Sequence, residues 1–409
     1  MECIVLSSTA VQIHFMRGHT ARSRKHKEAY MGATATHAAE FFAATGAISA
    51  IAVVMFSRVA PLIGIMDVPG GRKQHAGAVP LVGGISIFVA LLAGAVMVGI
   101  APRAGYFLLA LSIIIAVGMW DDVAEISPRI RFVIQIIAST LMIWGANVQL
   151  SSLGDLFGYR PLGLWILGVP LTIFAIVGVV NSVNMMDGMD GLAGCTALTA
   201  FAWYALVAND AGLDVQFHMA LLLCGGIAGF LLFNLRFPWQ PRARVFLGDA
   251  GSLMIGFALG WFAIDLTQGE GRTFPPVAAL WIIVLPLVDC VSLMARRVRM
   301  GKSPFDGDRH HIHHYFLARG FTPSQTLAIL TGLSVFFGAV GYFGWRLHVP
   351  EPVLFWGFLA SFLLYHRWID NAWKRVEASR VLDASRAPGV EPAVAPLLAD
   401  EQEEAISAS

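Results

Sequence analysis

The sequence predicts an all-α polytopic integral membrane protein, and three observations predict it. Of 409 residues, 56% are hydrophobic and only 13% charged, where soluble domains carry ~25% charged residues. Mean hydropathy is +0.67, and apolar runs of about 20 residues, the length that crosses a bilayer, recur throughout. Inside lipid each backbone N–H and C=O must be paired within its own segment, so such runs are read as helices.

The runs fall near residues 39–63, 81–101, 104–120, 131–148, 164–183, 192–208, 217–235, 250–267, 276–295, 325–347 and 352–369. By the length rule they make about eleven transmembrane helices. Their connections are short and no internal repeat is visible. The expected organisation is an N-terminal extension over 1–38, a transmembrane domain over 39–370 and a cytoplasmic tail over 371–409. Beyond about Ala387 the tail is rich in Ala, Pro and Glu and is expected to be disordered.

Charge placement gives an orientation. Loops after odd-numbered helices carry Arg72, Lys73, Arg236, Arg242, Arg244, Arg296, Arg297, Arg299, Lys302 and Arg309, whereas loops after even-numbered ones carry only Arg103, Arg160, Arg272 and Arg346. Positive charge is retained in the cytoplasm, which places the odd loops inside and the N-terminus outside. The basic cluster Arg17, Arg22, Arg24, Lys25 and Lys27 breaks this pattern. It is either a cytoplasmic arm that reverses the topology or sequence upstream of a true start at Met31, and the second reading is favoured.

Several classes drop out. A net charge of +1 gives no field for nucleic acid. Cys3, Cys195, Cys224 and Cys290 are scattered without CxxC or Cys/His finger spacing, which argues against disulfides and structural zinc. No GxxxxGK[ST] run marks a P-loop.

The informative residues are the polar ones at the ends of apolar runs. Asp121 and Asp122 close the third helix, and Asn184, Asp187 and Asp190 lie in NMMDGMDG after the fifth. Asp249 stands in FLGDAGS at the mouth of the eighth; Asp308, Arg309, His311, His313 and His314 occupy the long loop after the ninth; RKQHAGAVPLVGG (72–84) opens the second. Singly, each has an ordinary reading: an Asp before a helix is a cap, DG is a turn, a His-rich loop is solvated surface. Together they place acids, which are costly at membrane depth, on one cytoplasmic face, and that argues for a single active site. Neighbouring carboxylates form an all-oxygen site suited to Mg²⁺, with Mn²⁺ as a substitute; Mg²⁺ binds through one or two carboxylates plus substrate phosphates. The metal would neutralise a diphosphate, while cationic and imidazole groups hold its oxygens. The Gly83–Gly84 pair and the DG pairs are expected to let backbone approach a ligand.

The ordered set RKQH…P…GG, WDD, NMMDGMDGL, FLGDAGS and PFDGDRHHIHH resembles the polyprenyl-phosphate N-acetylhexosamine-1-phosphate transferases over roughly residues 40–370. The resemblance implies attack of a polyprenyl phosphate, such as undecaprenyl phosphate, on the β-phosphate of a UDP-sugar, giving polyprenyl-diphospho-sugar and UMP in a bacterial inner membrane. By position it makes Asp249 the magnesium ligand with Asp122 beside it, and Asp121 the group that deprotonates or orients the lipid phosphate. Asn184, Asp187 and Asp190 would line the nucleotide pocket, Phe246 would stack on uracil, and Lys73 would serve the lipid phosphate. Asp308, Arg309, His311, His313 and His314 would contact the donor, with His313 nearest the chemistry. The H-x-H-H form resembles the N-acetylglucosamine branch serving O-antigen, enterobacterial common antigen or teichoic acid linkage units. Glu125 departs from the family, which often has Lys, Asp or Asn there.

Two alternatives stay open: the same reaction on another UDP-HexNAc or on UDP-MurNAc-pentapeptide, and, from another class, an ion-coupled transporter. Transporter sites sit near the midplane in repeated halves, whereas these acids sit at one face. A homodimer is compatible with the sequence, which does not specify an oligomeric state.

Overall fold

The computed structural model describes residues 37–68, 77–99, 102–269, 271–303 and 310–386. The basic N-terminal stretch, Lys73, Asp308, Arg309 and everything after residue 386 lie outside the described residues. The helices are α1 His37–Ile63, α2 Gly83–Val98, α3 Pro102–Ala124, α4 Pro128–Ala146, α5 Gly168–Met186, α6 Leu192–Asp210 and α7 Asp214–Asn234. They continue with α8 Gly248–Asp265, α9 Pro276–Ile282, α10 Val284–Arg299, α11 Ile312–Ala318, α12 Pro323–Arg346 and α13 Glu351–Arg386. Among the described residues the β structure is a two-stranded antiparallel ribbon, β1 Met66–Asp67 with β2 Val79–Pro80, and two isolated bridges.

Every expected apolar run is helical, yet the span count is lower than the runs suggest. Among the described residues seven helices are long and apolar enough to cross a membrane, and an eighth crossing results if α9 and α10 make one span. Length and composition therefore do not establish about eleven. At 16 residues, α2 measures about 24 Å, short of a hydrocarbon core of about 30 Å. The run expected as one span over 276–295 is broken: α9 and α10 meet at 84°. Pro286 lies in the first turn of α10 and has no N–H to offer the carbonyl four residues back, which licenses the bend. The boundary expected at 370 falls inside α13. That helix runs on to Arg386 because Ile369, Ala372, Trp373 and Val376 form a buried stripe on it, Trp373 and Val376 packing in the cluster that includes Ile312 of α11.

The hub of the bundle is α8, buried over most of its length, with α2, α3, α5 and α6 packed around it. Lipid is as apolar as a leucine side chain, so burial alone does not assemble these helices; close packing through small residues does. A Cβ on Gly84 would lie 2.3 Å from the backbone N of Gly251, and one on Gly118 would lie 2.3 Å from Cα of Ala250. Only glycine lets α2 and α3 approach the first turn of α8 this closely. The Gly83–Gly84 pair thus serves the packing of α2 on α8. Outward-facing Ile51, Met55, Trp144, Phe174, Phe336 and Leu364 are exposed, as a lipid-facing surface requires. The protein is a multi-pass membrane protein.

Candidate active site

Backbone pairing brings the distant motifs together. Phe246 N–H donates to Pro80 O (2.9 Å), Gly83 N–H to Phe246 O (3.0 Å) and Gly84 N–H to Leu247 O (3.0 Å). The VPLVGG segment and the FLGD loop therefore form one docked unit at the start of α8, and Phe246 stands half-buried beside it.

Asp122 fastens that unit to α3. Its Oδ1 accepts the N–H of Asp249 at 2.7 Å and its Oδ2 the N–H of Ala250 at 3.1 Å. These are amides that the first turn of α8 cannot satisfy internally, so a carboxylate from another helix does a cap's work at the positive end of the helix dipole. Gly248 permits it: its φ is +75°, and a Cβ there would lie 2.7 Å from Asp122 Oδ2. Asp121, buried, accepts the N–H of Ile126 (2.9 Å) and Arg131 Nη1–H (2.8 Å). The turn between them contains Glu125 at φ +45°, its N–H donating to Asp121 O at 3.0 Å. A left-handed helix end is where Asn and Asp are favoured, so this position is set by backbone geometry.

From α5, Asn184 Nδ2 donates to Asp249 Oδ1 (2.6 Å) and to Ser252 Oγ (2.9 Å). Asp187, the residue that ends α5, faces the same cluster. Burial first, then the charges of Asp249, Asp122 and Asp190, push its carboxyl up to about 7. Asp190 stands at the rim and accepts from Arg236 Nε (2.8 Å) and the N–H of Ala243 (3.1 Å). Beside it Asn234 accepts from Gly191 N–H (2.7 Å) and donates to Val245 O (2.9 Å). The pair lashes the DGMDG turn to the loop that leads into FLGD.

The histidine motif approaches from the other side. His311 directs Nδ1 at Asp289 Oδ2 (2.8 Å), while Asp289 Oδ1 accepts from the N–H of Ile312 (3.1 Å) and the hydroxyl of Tyr365. His313 is buried, and among the described residues neither of its ring nitrogens has a hydrogen-bond partner; it stacks on His311 with centroids 5.6 Å apart and lies 4.2 Å from the half-buried His314 ring. Burial foremost, then its two histidine neighbours, hold the His313 imidazole down at about 3. A Cβ on Gly188 would lie 2.5 Å from His313 Nε2, so this ring sits directly on the DGMDG turn.

The structure thus gathers Asp121, Asp122, Asn184, Asp187, Asp190, Phe246 and Asp249 around the mouth of α8, with His311, His313 and His314 adjoining through Gly188. The expectations for Lys73, Asp308 and Arg309 fall outside the described residues. Sequence reasoning missed Asp289 and Arg131. A lone acid in the apolar run WIIVLPLVDCVSL was the available signal for Asp289, because a charge there needs partners; Arg131 gave no signal beyond a basic loop.

The carboxylates fit a hard divalent cation. Burial first, and then the neighbouring carboxylates, raise Asp187, and a bound cation would relieve that repulsion. Asp249 and Asp122 offer oxygens only, and each ionised carboxylate oxygen keeps a further lone pair beyond one accepted N–H. Among the described residues no three His, Cys, Asp or Glu side chains form a ready-made cage. The available donors match an ion completed by phosphate and water.

Residues 104–267 match the family model described as glycosyl transferase family 4. A Haemophilus influenzae protein named undecaprenyl-phosphate alpha-N-acetylglucosaminyl 1-phosphate transferase is 40% identical over 326 residues, 79% of this chain and 92% of its own length. Proteins of the same name from Salmonella typhi (38% over 329 residues, 79% and 89% of the two chains) and Escherichia coli K12 (37% over 322 residues, 78% and 87%) are similar along the same extent.

Proposed function

The chain belongs to glycosyl transferase family 4, and from that membership we propose that it transfers N-acetylglucosamine-1-phosphate from UDP-GlcNAc to undecaprenyl phosphate, releasing UMP. The observation that carries the reading is identity of 37–40% over about four-fifths of the chain to proteins named for this transfer. The acidic mouth of α8 is the site that fits it.

An oxygen of the lipid phosphate attacks the β-phosphorus of the donor; the bond from that phosphorus to the α–β bridging oxygen breaks, and UMP leaves with the electron pair. Asp121, aimed by Arg131 and the Ile126 amide, orients the attacking phosphate or takes its proton. Asp249 and Asp122 would hold Mg²⁺, or Mn²⁺ in its place, which supplies charge neutralisation for the diphosphate. Asn184 fixes the Asp249 carboxylate, so that ligand is set before substrate arrives. Asn184, Asp187, Asp190 and Phe246 line the nucleotide side. His313 and His314, with Arg309 and Asp308 from the same loop, take the sugar diphosphate, and Lys73 serves the lipid phosphate. Lys and Arg placement supports a mouth that faces the cytoplasm, and the bacterial origin of the relatives supports an inner membrane and the first lipid-linked step of a surface polysaccharide.

The test is transfer of label from a panel of UDP-sugars to undecaprenyl phosphate by the purified protein. UDP-GlcNAc should outpace the other UDP-HexNAc donors and UDP-MurNAc-pentapeptide by tenfold or more, about 1.4 kcal/mol in kcat/KM. Preference for another donor would change the sugar, and no transfer from any would end the reading.

A further inference from the structure

An aspartate buried in a helical bundle is costly unless its oxygens are filled, and Asp289, 3% exposed, is filled from two other elements. It takes His311 and the amide of Ile312 at the start of α11, and the Tyr365 hydroxyl from α13. Seven residues on, along the same face of α10, Arg296 Nη2 donates to His310 O at 3.0 Å. α10 therefore clamps the histidine segment at two points two turns apart. A carboxylate only accepts, so the bond at His311 Nδ1 requires the proton on that nitrogen. The held ring then stacks on His313, which rests on Gly188 beside Asp187.

We propose that Asp289 is a positioning residue for the histidine motif: it fixes the His311 proton on Nδ1 and ties α11 to α10 and α13, and so holds His313 against the DGMDG turn where the donor is read. The assignment of that reading to the donor rests on the transfer reaction proposed above. The position of the proton does not.

Asp289→Asn separates the parts. Its Oδ1 still accepts the Ile312 amide and the Tyr365 hydroxyl, which turns the new NH₂ toward His311 Nδ1. That nitrogen must then accept, and the proton moves to Nε2. In ¹⁵N-histidine-labelled protein in bilayers, with the His311 signal assigned by its loss in His311→Gln, the wild type should show Nδ1 protonated and Asp289→Asn should show Nε2 protonated. In transfer assays the KM for UDP-GlcNAc should rise about tenfold or more in Asp289→Asn, with the KM for undecaprenyl phosphate changed less than about twofold. Tyr365→Phe removes a hydrogen bond from the other oxygen and should leave the donor KM within about threefold. An unprotonated Nδ1 in the wild type, an unmoved proton in the variant, or an equal rise in both KM values overturns the proposal. Should Asp289→Asn not fold, His311→Asn keeps a donor at the Nδ1 position and His311→Gln does not. A donor KM raised in Gln but near wild type in Asn supports the role, and equal losses overturn it. A wild type that transfers no sugar phosphate defeats the functional reading alone, because the spectra still decide where the proton lies.

Discussion

Asp249 and Asp122 occupy one corner of the site but differ in what the fold asks of them, and replacing each by asparagine should separate rate from stability. Asp249 is contacted through its backbone by Asp122 and through its side chain by Asn184. In Asp249→Asn the backbone contact survives and the new carbonyl oxygen can still face Asn184. The fold should lose no more than about 0.5–1.5 kcal/mol, the net worth of one hydrogen bond. The proposed metal ligand is lost, and about 4 kcal/mol of transition-state stabilisation with it, which is about a thousandfold in rate. Asp122 instead uses both oxygens on the amides of Asp249 and Ala250. In Asp122→Asn one amide meets an NH₂ group: a charge-assisted bond of about 1.5–3 kcal/mol goes, and a partly buried N–H loses its acceptor for about 1–3 more. That variant should melt well below wild type as well as lose activity. The assay is label transfer at saturating Mg²⁺ beside thermal melts of the same detergent preparations. Asp249→Asn keeping above about a tenth of the wild-type rate, or Asp122→Asn melting like wild type, would refute the division of labour.

Acid should destabilise the fold through His313. Its pKa falls from 6.5 unfolded to about 3 folded, so below 6.5 the unfolded chain binds the extra proton; stability drops by up to about 1.4 kcal/mol per pH unit until the folded value is reached. Melts of wild type and His313→Gln between pH 7.5 and 5 check this, the variant showing the shallower slope. Topology is tested by single cysteines at exposed positions: residues near 210 and 270 should react with an impermeant thiol reagent outside whole cells, and Trp239→Cys and Lys302→Cys should not. Gly118→Val should prevent assembly of the bundle, since its first side-chain atom would meet the backbone of α8 at 2.3 Å; monodisperse protein with wild-type melting would show that α3 has room to retreat.

The position of every apolar run was legible, because hydropathy is a local property and α1 to α8 answer to it. How many of those runs cross was not. Whether α2 or α8 faces lipid depends on what packs around it, and the break at Ile283 follows from a proline that a hydropathy window averages away. The acids at the mouth of α8 could be read because several of them end apolar runs. What each carboxylate touches could not be read. The partners of Asp122 are backbone amides 127 and 128 residues away, and amides carry no sequence signature. Gly83 and Gly84 point to a close approach of something, and only the packed structure shows that it is α8. What Asp289 holds could not be read either, because its partners stand at the start of α11 and in α13.

The joint between Pro80–Gly84 and Phe246–Leu247 is made of three main-chain hydrogen bonds. Main-chain bonds of this kind do not depend on residue identity, apart from proline at the donating positions. The seat of residue 246 is therefore fixed whatever side chain it bears. A substitution at that position changes the face presented to the mouth of α8 without disturbing the register of Asp249 three residues on. A substitution at 246 therefore bears on the proposed uracil-stacking role alone, because the frame that carries Asp249 stays in place.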